Sequence, residues 1–146
     1  MTLEGNYTVN AARETVWELL MDPEVLARIT PGITSLEKVD EDNYKAVAQL
    51  KIGPVGGAFS GNLNLSDRKK PESFSLSIQQ NSKIGNANAV VHMNLTTTAG
   101  GQTGVAYTGE VKLSGMLSTM GGRVITPVAK MLAQQFFEAL EKEAGA

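Results

Sequence analysis

Cysteine is absent from the 146-residue sequence, and histidine occurs once, as His92. The first absence removes disulfides, thiolate nucleophiles and cysteine-based metal sites, and it fits a reducing compartment. The second removes any multi-histidine metal centre. Basic charge is not in surplus either: 13 Lys and Arg stand against 15 Asp and Glu, a formal net charge of −2. With a pI near 5.4 the chain lacks the clustered cations that nucleic acid requires. No apolar run approaches membrane-spanning length, and the start Met1-Thr2-Leu3-Glu4 does not read as a secretory signal. No linker or repeat divides the pattern, so the expectation is one domain over 1–146 in the cytoplasm.

The motifs of catalysis are missing as well. No Gly-x-Ser-x-Gly elbow occurs. Gly53-Pro54-Val55-Gly56-Gly57 and Gly121-Gly122 match neither the phosphate-loop nor the dinucleotide pattern, and the first reads as a tight hairpin. His92 shares its alternation with Asn88, Val90 and Asn94, which places it on a wet strand face without a partner to orient it as a base. Glu37, Asp40, Glu41, Asp42 and Asp67 sit in or beside turns. Arg68-Lys69-Lys70 reads as a solvated turn tip. The reading therefore assigns no catalytic residue, no metal ligand and no cofactor.

What the sequence does contain is a clear order of elements. Leu3–Val9 alternates as a first strand, Asn10 offers a helix cap, and Ala12, Val16, Leu19 and Leu20 recur at helical spacing to about Met21. Asp22-Pro23 is a cap followed by proline at the first helical position, which predicts a second short helix to about Ala27, ended by Pro31-Gly32. Turn residues then separate strands predicted at 33–39, 44–52, 58–67, 73–81, 87–98 and 103–115. One strand face carries Tyr44, Ala46, Ala48 and Leu50, then Phe59, Gly61, Leu63 and Leu65, then Phe74, Leu76 and Ile78, and is continued by Ala89, Val91, Met93, Val105, Tyr107 and Val111. The alternate positions carry Lys45, Gln49, Ser60, Asn62, Ser75 and Gln79, the pattern of an antiparallel sheet with one buried and one wet face.

The terminal stretch predicts one long amphipathic helix from Leu117 to Glu143. Leu117, Met120, Val124, Val128, Met131 and Leu132 mark its apolar side, widened by Ile125, Ala129, Phe136 and Leu140. On this phase Gln135 falls inside the apolar arc and Phe137 on the polar face, while Gly121, Gly122 and Pro127 loosen or kink the first turns. The predicted fold class is α+β: a seven-stranded curved antiparallel sheet around a long C-terminal helix, with two short helices after strand 1. Small residues on the inner face, Ala46, Ala48, Gly61, Ala89 and Gly109, either leave room for a ligand or let the helix pack closer.

Three stretches resemble a known family: Thr30-Pro31-Gly32-Ile33-Thr34-Ser35-Leu36-Glu37, Lys51-Ile52-Gly53-Pro54-Val55 leading to Phe59-Ser60-Gly61, and Met120-Gly121-Gly122-Arg123 through Gln135-Phe136-Phe137. Together they are similar to the CoxG family, the G-subunit family of carbon monoxide dehydrogenase, within the START-like (SRPBCC) helix-grip superfamily of START/Bet v 1-like architecture. The resemblance implies an apolar cavity between sheet and helix, and an accessory role beside a molybdenum hydroxylase of the carbon monoxide dehydrogenase type. It also implies carriage of a lipophilic quinone or recruitment to the inner membrane face. Longer members add a linker and an amphipathic tail, whereas this sequence stops at Ala146, so membrane contact is expected to be peripheral at most.

The leading expectation is a non-enzymatic module that binds a lipophilic, quinone-like molecule. Tyr44, Leu50, Phe59, Leu63, Met93 and Tyr107 would form the sheet wall, and Val124, Val128, Met131 and Gln135 the helix wall, with Tyr107 and Gln135 as its polar contacts. One rival is a cyclase- or aromatase-type enzyme, which needs an acid or base inside the cavity. The other is an interaction protein with a self-filled interior, docking through Phe137 and the Arg68–Lys70 turn.

Overall fold

The computed structural model describes residues 1–145. The chain runs β1 (Thr2–Val9), α1 (Arg13–Leu20), α2 (Pro23–Ile29), β2 (Ile33–Lys38), β3 (Asn43–Ile52), β4 (Val55–Lys69), β5 (Ser73–Ser82), β6 (Gly85–Thr97), β7 (Thr103–Leu113), α3 (Gly115–Met120) and α4 (Gly122–Gly145). The seven strands form one antiparallel sheet in the order β1-β7-β6-β5-β4-β3-β2. Every neighbour from β2 to β7 follows its predecessor in sequence. The single long-range pairing brings β1 back beside β7, with Val9 opposite Thr103 and Leu3 opposite Gly109.

Local chemistry sets the junctions. The Asp22 side chain accepts a hydrogen bond from the Glu24 backbone N–H at 2.9 Å and Pro23 opens α2, so cap and proline act as the sequence predicts. Replacing Asp22 by alanine should cost about 1 kcal/mol in urea denaturation through loss of that cap. The first helix departs from expectation: Ala12, without a capping side chain, occupies its N-cap, and Asn10 lies outside it. Instead, fully buried Thr103 ties this junction to the sheet, its hydroxyl donating to the Ala11 carbonyl at 2.7 Å.

The terminal helix is not continuous. Gly121 adopts φ 74°, a left-handed conformation that glycine tolerates, and it separates α3 from the 24-residue α4. At 1.5 Å per residue α4 is about 36 Å long, with Pro127 inside it. Interrupting the helix resets its phase. Ile125, Phe137 and Leu140 are its buried residues, while Gln135 is exposed and Met131 is 38% exposed. The predicted placements of Gln135 in the apolar arc and Phe137 on the polar face are thus reversed. Leu117 and Met120 lie beyond the break and carried a phase that α4 does not share.

No helix among the described residues is long and apolar enough to cross a membrane.

Candidate functional site

The strand register lines up concave-face residues in rows across the sheet. One row runs Tyr44, Leu63, Ile78, Ala89 and Val111; the next runs Leu65, Leu76, Val91, Gly109 and Leu3. On the other side of the first lies Ala46, Gly61, Gln80, Ala87 and Leu113. These rows face α4 but do not all pack against it. The helix comes close to β1, α1, α2 and α3, and stands farther from the central strands.

The apolar interior is accordingly split. A large cluster at one end gathers Trp17, Leu20, Tyr44, Leu65, Phe74, Met93 and Leu95 around Phe137 and Leu140. A small cluster at the other end joins Val55 and Phe59 to Leu117 and Ile125. Between them lie Ile78, Ala89 and Val111 on the sheet and Val124, Ala129 and Leu132 on the helix, half-buried and assigned to neither cluster among the described residues. Apolar side chains that face the interior of a fold are normally buried by one another. This band is the least closely packed part of the interior, and its members Ile78 and Ala89 also border a depression on the convex face.

The large cluster closes one end of this band with aromatic rings. Phe137, 3% exposed, lies between Tyr7 and Tyr107 at centroid distances of 5.4 and 5.5 Å, with Phe136 edge-on at 5.2 Å. Tyr107 can lie flat there because β1 offers a glycine: a Cβ on Gly5 would fall 2.6 Å from the Tyr107 hydroxyl oxygen. Burial holds the Tyr7 hydroxyl above its ordinary pKa, and the nearby Glu141 and Glu138 carboxylates push the same way.

The expected wall residues divide into three groups. Tyr44, Phe59 and Met93 are buried members of the two packed clusters; Leu63 and Tyr107 are half-buried against the large cluster, Leu50 and Val128 are half-buried against the small one, and Val124 falls in the band between them. Met131 and Gln135 are exposed, so neither is part of the helix wall in this structure. Ser75, expected on the wet face, is 5% exposed and lies 2.6 Å from His92 Nδ1, while His92 itself is exposed on the convex side as expected. The basic turn is not free: Arg68 pairs with Asp42 and donates to the Glu41 carbonyl at 3.0 Å, and Lys70 pairs with Glu18 at 2.8 Å. Two open depressions of about 410 and 450 Å³ lie largely on the convex face, the first among Asn62, Asn64, Gln79 and Asn88, the second around His92.

Sequence reasoning missed a polar concave-face residue. Gln80 follows Phe74, Leu76 and Ile78 in strict alternation, and its side-chain oxygen is buried with no hydrogen-bond partner among the described residues.

The same architecture occurs in solved structures. A conserved protein from Geobacillus kaustophilus matches with a TM-score of 0.96 and 31% identity, over 99% of this chain and 95% of that one. A START superfamily protein from Mycobacterium smegmatis matches with a TM-score of 0.74 and 11% identity, over 99% and 97% of the two chains. Ara h 8.0201 matches with a TM-score of 0.68 and 16% identity, again over 99% and 97%. At such identities the last two show the fold, the START/Bet v 1-like α+β architecture of an antiparallel sheet with a long C-terminal helix. No curated protein matches this sequence. The model of the CoxG family, the G-subunit family of carbon monoxide dehydrogenase, matches residues 5–145, nearly the whole chain, and the protein therefore belongs to that family.

Proposed function

We propose that the protein is a non-catalytic accessory that holds a lipophilic, quinone-like molecule between sheet and α4, in the cytoplasm, for a carbon monoxide dehydrogenase-type molybdenum hydroxylase. One observation carries the ligand part of this reading: the half-exposed band of Ile78, Ala89, Val111, Val124 and Leu132 between two packed clusters. The partner part is supported by the family's name. A ligand burying about 300 Å² of apolar surface gains on the order of 7 kcal/mol gross, before the costs of association, which suits transient carriage.

The rival readings have less to stand on. Docking through Phe137 conflicts with its burial, and Arg68 and Lys70 are already paired within the chain. An enzyme would need an acid or base in the groove, whereas His92 is on the opposite sheet face.

Ala89 is the residue to test, because a larger side chain there projects into the band without displacing a packed cluster. Ala89→Phe should abolish binding of decyl-ubiquinone in a fluorescence titration while leaving the melting temperature equal or higher. Freshly purified wild-type protein should retain a lipophilic mass in native mass spectrometry that the variant lacks. Equal quinone affinity in the two proteins, or no binding to either, would overturn the reading.

A further inference from the structure

Gln80 is a polar residue in an apolar setting, and its surroundings fix what it can do. On β5 it stands opposite Gly61 of β4 and Ala87 of β6, at the border between the half-exposed band and the small cluster. Its amide nitrogen lies 3.1 Å from the Gln79 carbonyl oxygen and 3.5 Å from that of Ala46. Both neighbours are acceptors only, so the nitrogen must face them; the opposite orientation would set oxygen against two carbonyl oxygens. The amide oxygen is then left buried and unpartnered. A buried acceptor in that state is stabilised when a donor pairs with it.

We propose that Gln80 is the polar recognition residue of the groove, and that it selects an apolar ligand carrying an O–H or N–H donor over one whose head group only accepts. This rests on the carrier reading above and sharpens it. A phenol, an alcohol or a hydroquinone can satisfy the amide oxygen, whereas the two carbonyls of a quinone cannot. Because Oε1 is closed off from solvent, a donor reaches it only with movement of the surrounding side chains, and once there it meets no competing water. For a redox-active ligand, tighter binding of the reduced form draws the bound couple toward the hydroquinone, since binding shifts an equilibrium by its differential affinity for the two states.

The probes are 4-nonylphenol and its methyl ether, 4-nonylanisole, which share an apolar body and differ in the donor. Titrated against the full chain by calorimetry, wild type should bind the phenol at least about tenfold more tightly, the return on pairing one buried acceptor. Gln80→Leu should bring the phenol down to the affinity of the ether, with an equal or higher melting temperature because an unpaired buried group is removed. Gln80→Met, unbranched and of the same reach, gives the same reading should the leucine variant fail to fold. Equal affinities in wild type, or a preference for the phenol that survives both substitutions, would remove Gln80 from recognition while leaving carriage intact. Binding of neither compound would bring down the carrier reading with it.

Discussion

Gly61→Ala should cost more than about 3 kcal/mol, at the severe end for a single added methyl in a packed interior. The reason is in the backbone of the next strand. A Cβ at position 61 would overlap the Gln79 carbonyl oxygen and crowd the Gln80 Cα at 3.1 Å, and neither is a side chain that can rotate away. The strands must separate, and with them the pairs Gly61–Gln80 and Leu63–Ile78 that carry the middle of the sheet. Gly56 of the same strand is the control. A Cβ there meets only the Leu50 carbonyl oxygen at an ordinary 3.6 Å, so Gly56→Ala should fall within about 0.5 kcal/mol of wild type. Urea denaturation of the two variants measures the contrast, and a Gly61→Ala protein within about 1 kcal/mol of wild type would show that β4 and β5 are not held at this spacing.

That contrast bears on what small residues on the concave face are for. The sequence leaves two readings open, room for a ligand or close packing, and the structure answers residue by residue. Gly61 is small because a neighbouring backbone approaches it, and Gly109 because the Val91 side chain would stand 3.3 Å from a Cβ there. Ala46 is 5% exposed and already covered. Ala89 differs: it is half-buried, lies in the row between Ile78 and Val111, and packs into neither cluster. The proposed groove therefore depends on one or two positions in its central row.

The strands were legible because their signal is local. Period-two alternation and turn residues fix each strand within a few residues, and one buried face follows from the alternation. The second helix was legible because Asp22-Pro23 encodes its own start. What escaped depends on phase or on distant partners. Gln80 lies inside the predicted strand, but in the polar run Gln79-Gln80-Asn81, where residue type no longer marks which face is buried. The ion pairs of Arg68 with Asp42 and Lys70 with Glu18 join residues far apart in sequence, so the turn looked free. In the terminal helix, counting at 100° per residue through Gly121 joined two helices that the φ of 74° at that glycine keeps apart. Within α4 Gln135 lies only about 20° round from Val124, and Leu117 and Met120 drew the centre of the apolar arc to that side, whereas the buried face is the one that carries Ile125, Leu140 and Phe137.

Phe137→Ala tests that correction and should be the most damaging truncation in α4, costing about 3–5 kcal/mol, the usual range for a buried aromatic. Gln135→Ala, two residues away and exposed, should change stability by no more than about 0.5 kcal/mol. The size of the first effect follows from what the ring joins: it sits between Tyr7 of β1 and Tyr107 of β7 and ties α4 to the strand pair that brings the start of the sheet back to its end. Removing it leaves two tyrosine rings facing a void, and the aromatic end of the groove opens. The Tyr7 hydroxyl reports this directly. Its pKa is raised in the folded protein, so its contribution to stability is present below about pH 10, its unperturbed value, and fades as pH climbs through the raised one. In Phe137→Ala the burial that dominates the shift is reduced, and ultraviolet titration should find Tyr7 ionising closer to its ordinary value. Equal losses at positions 135 and 137 would mean that α4 lies on the sheet in another rotation, with Gln135 inside the groove after all.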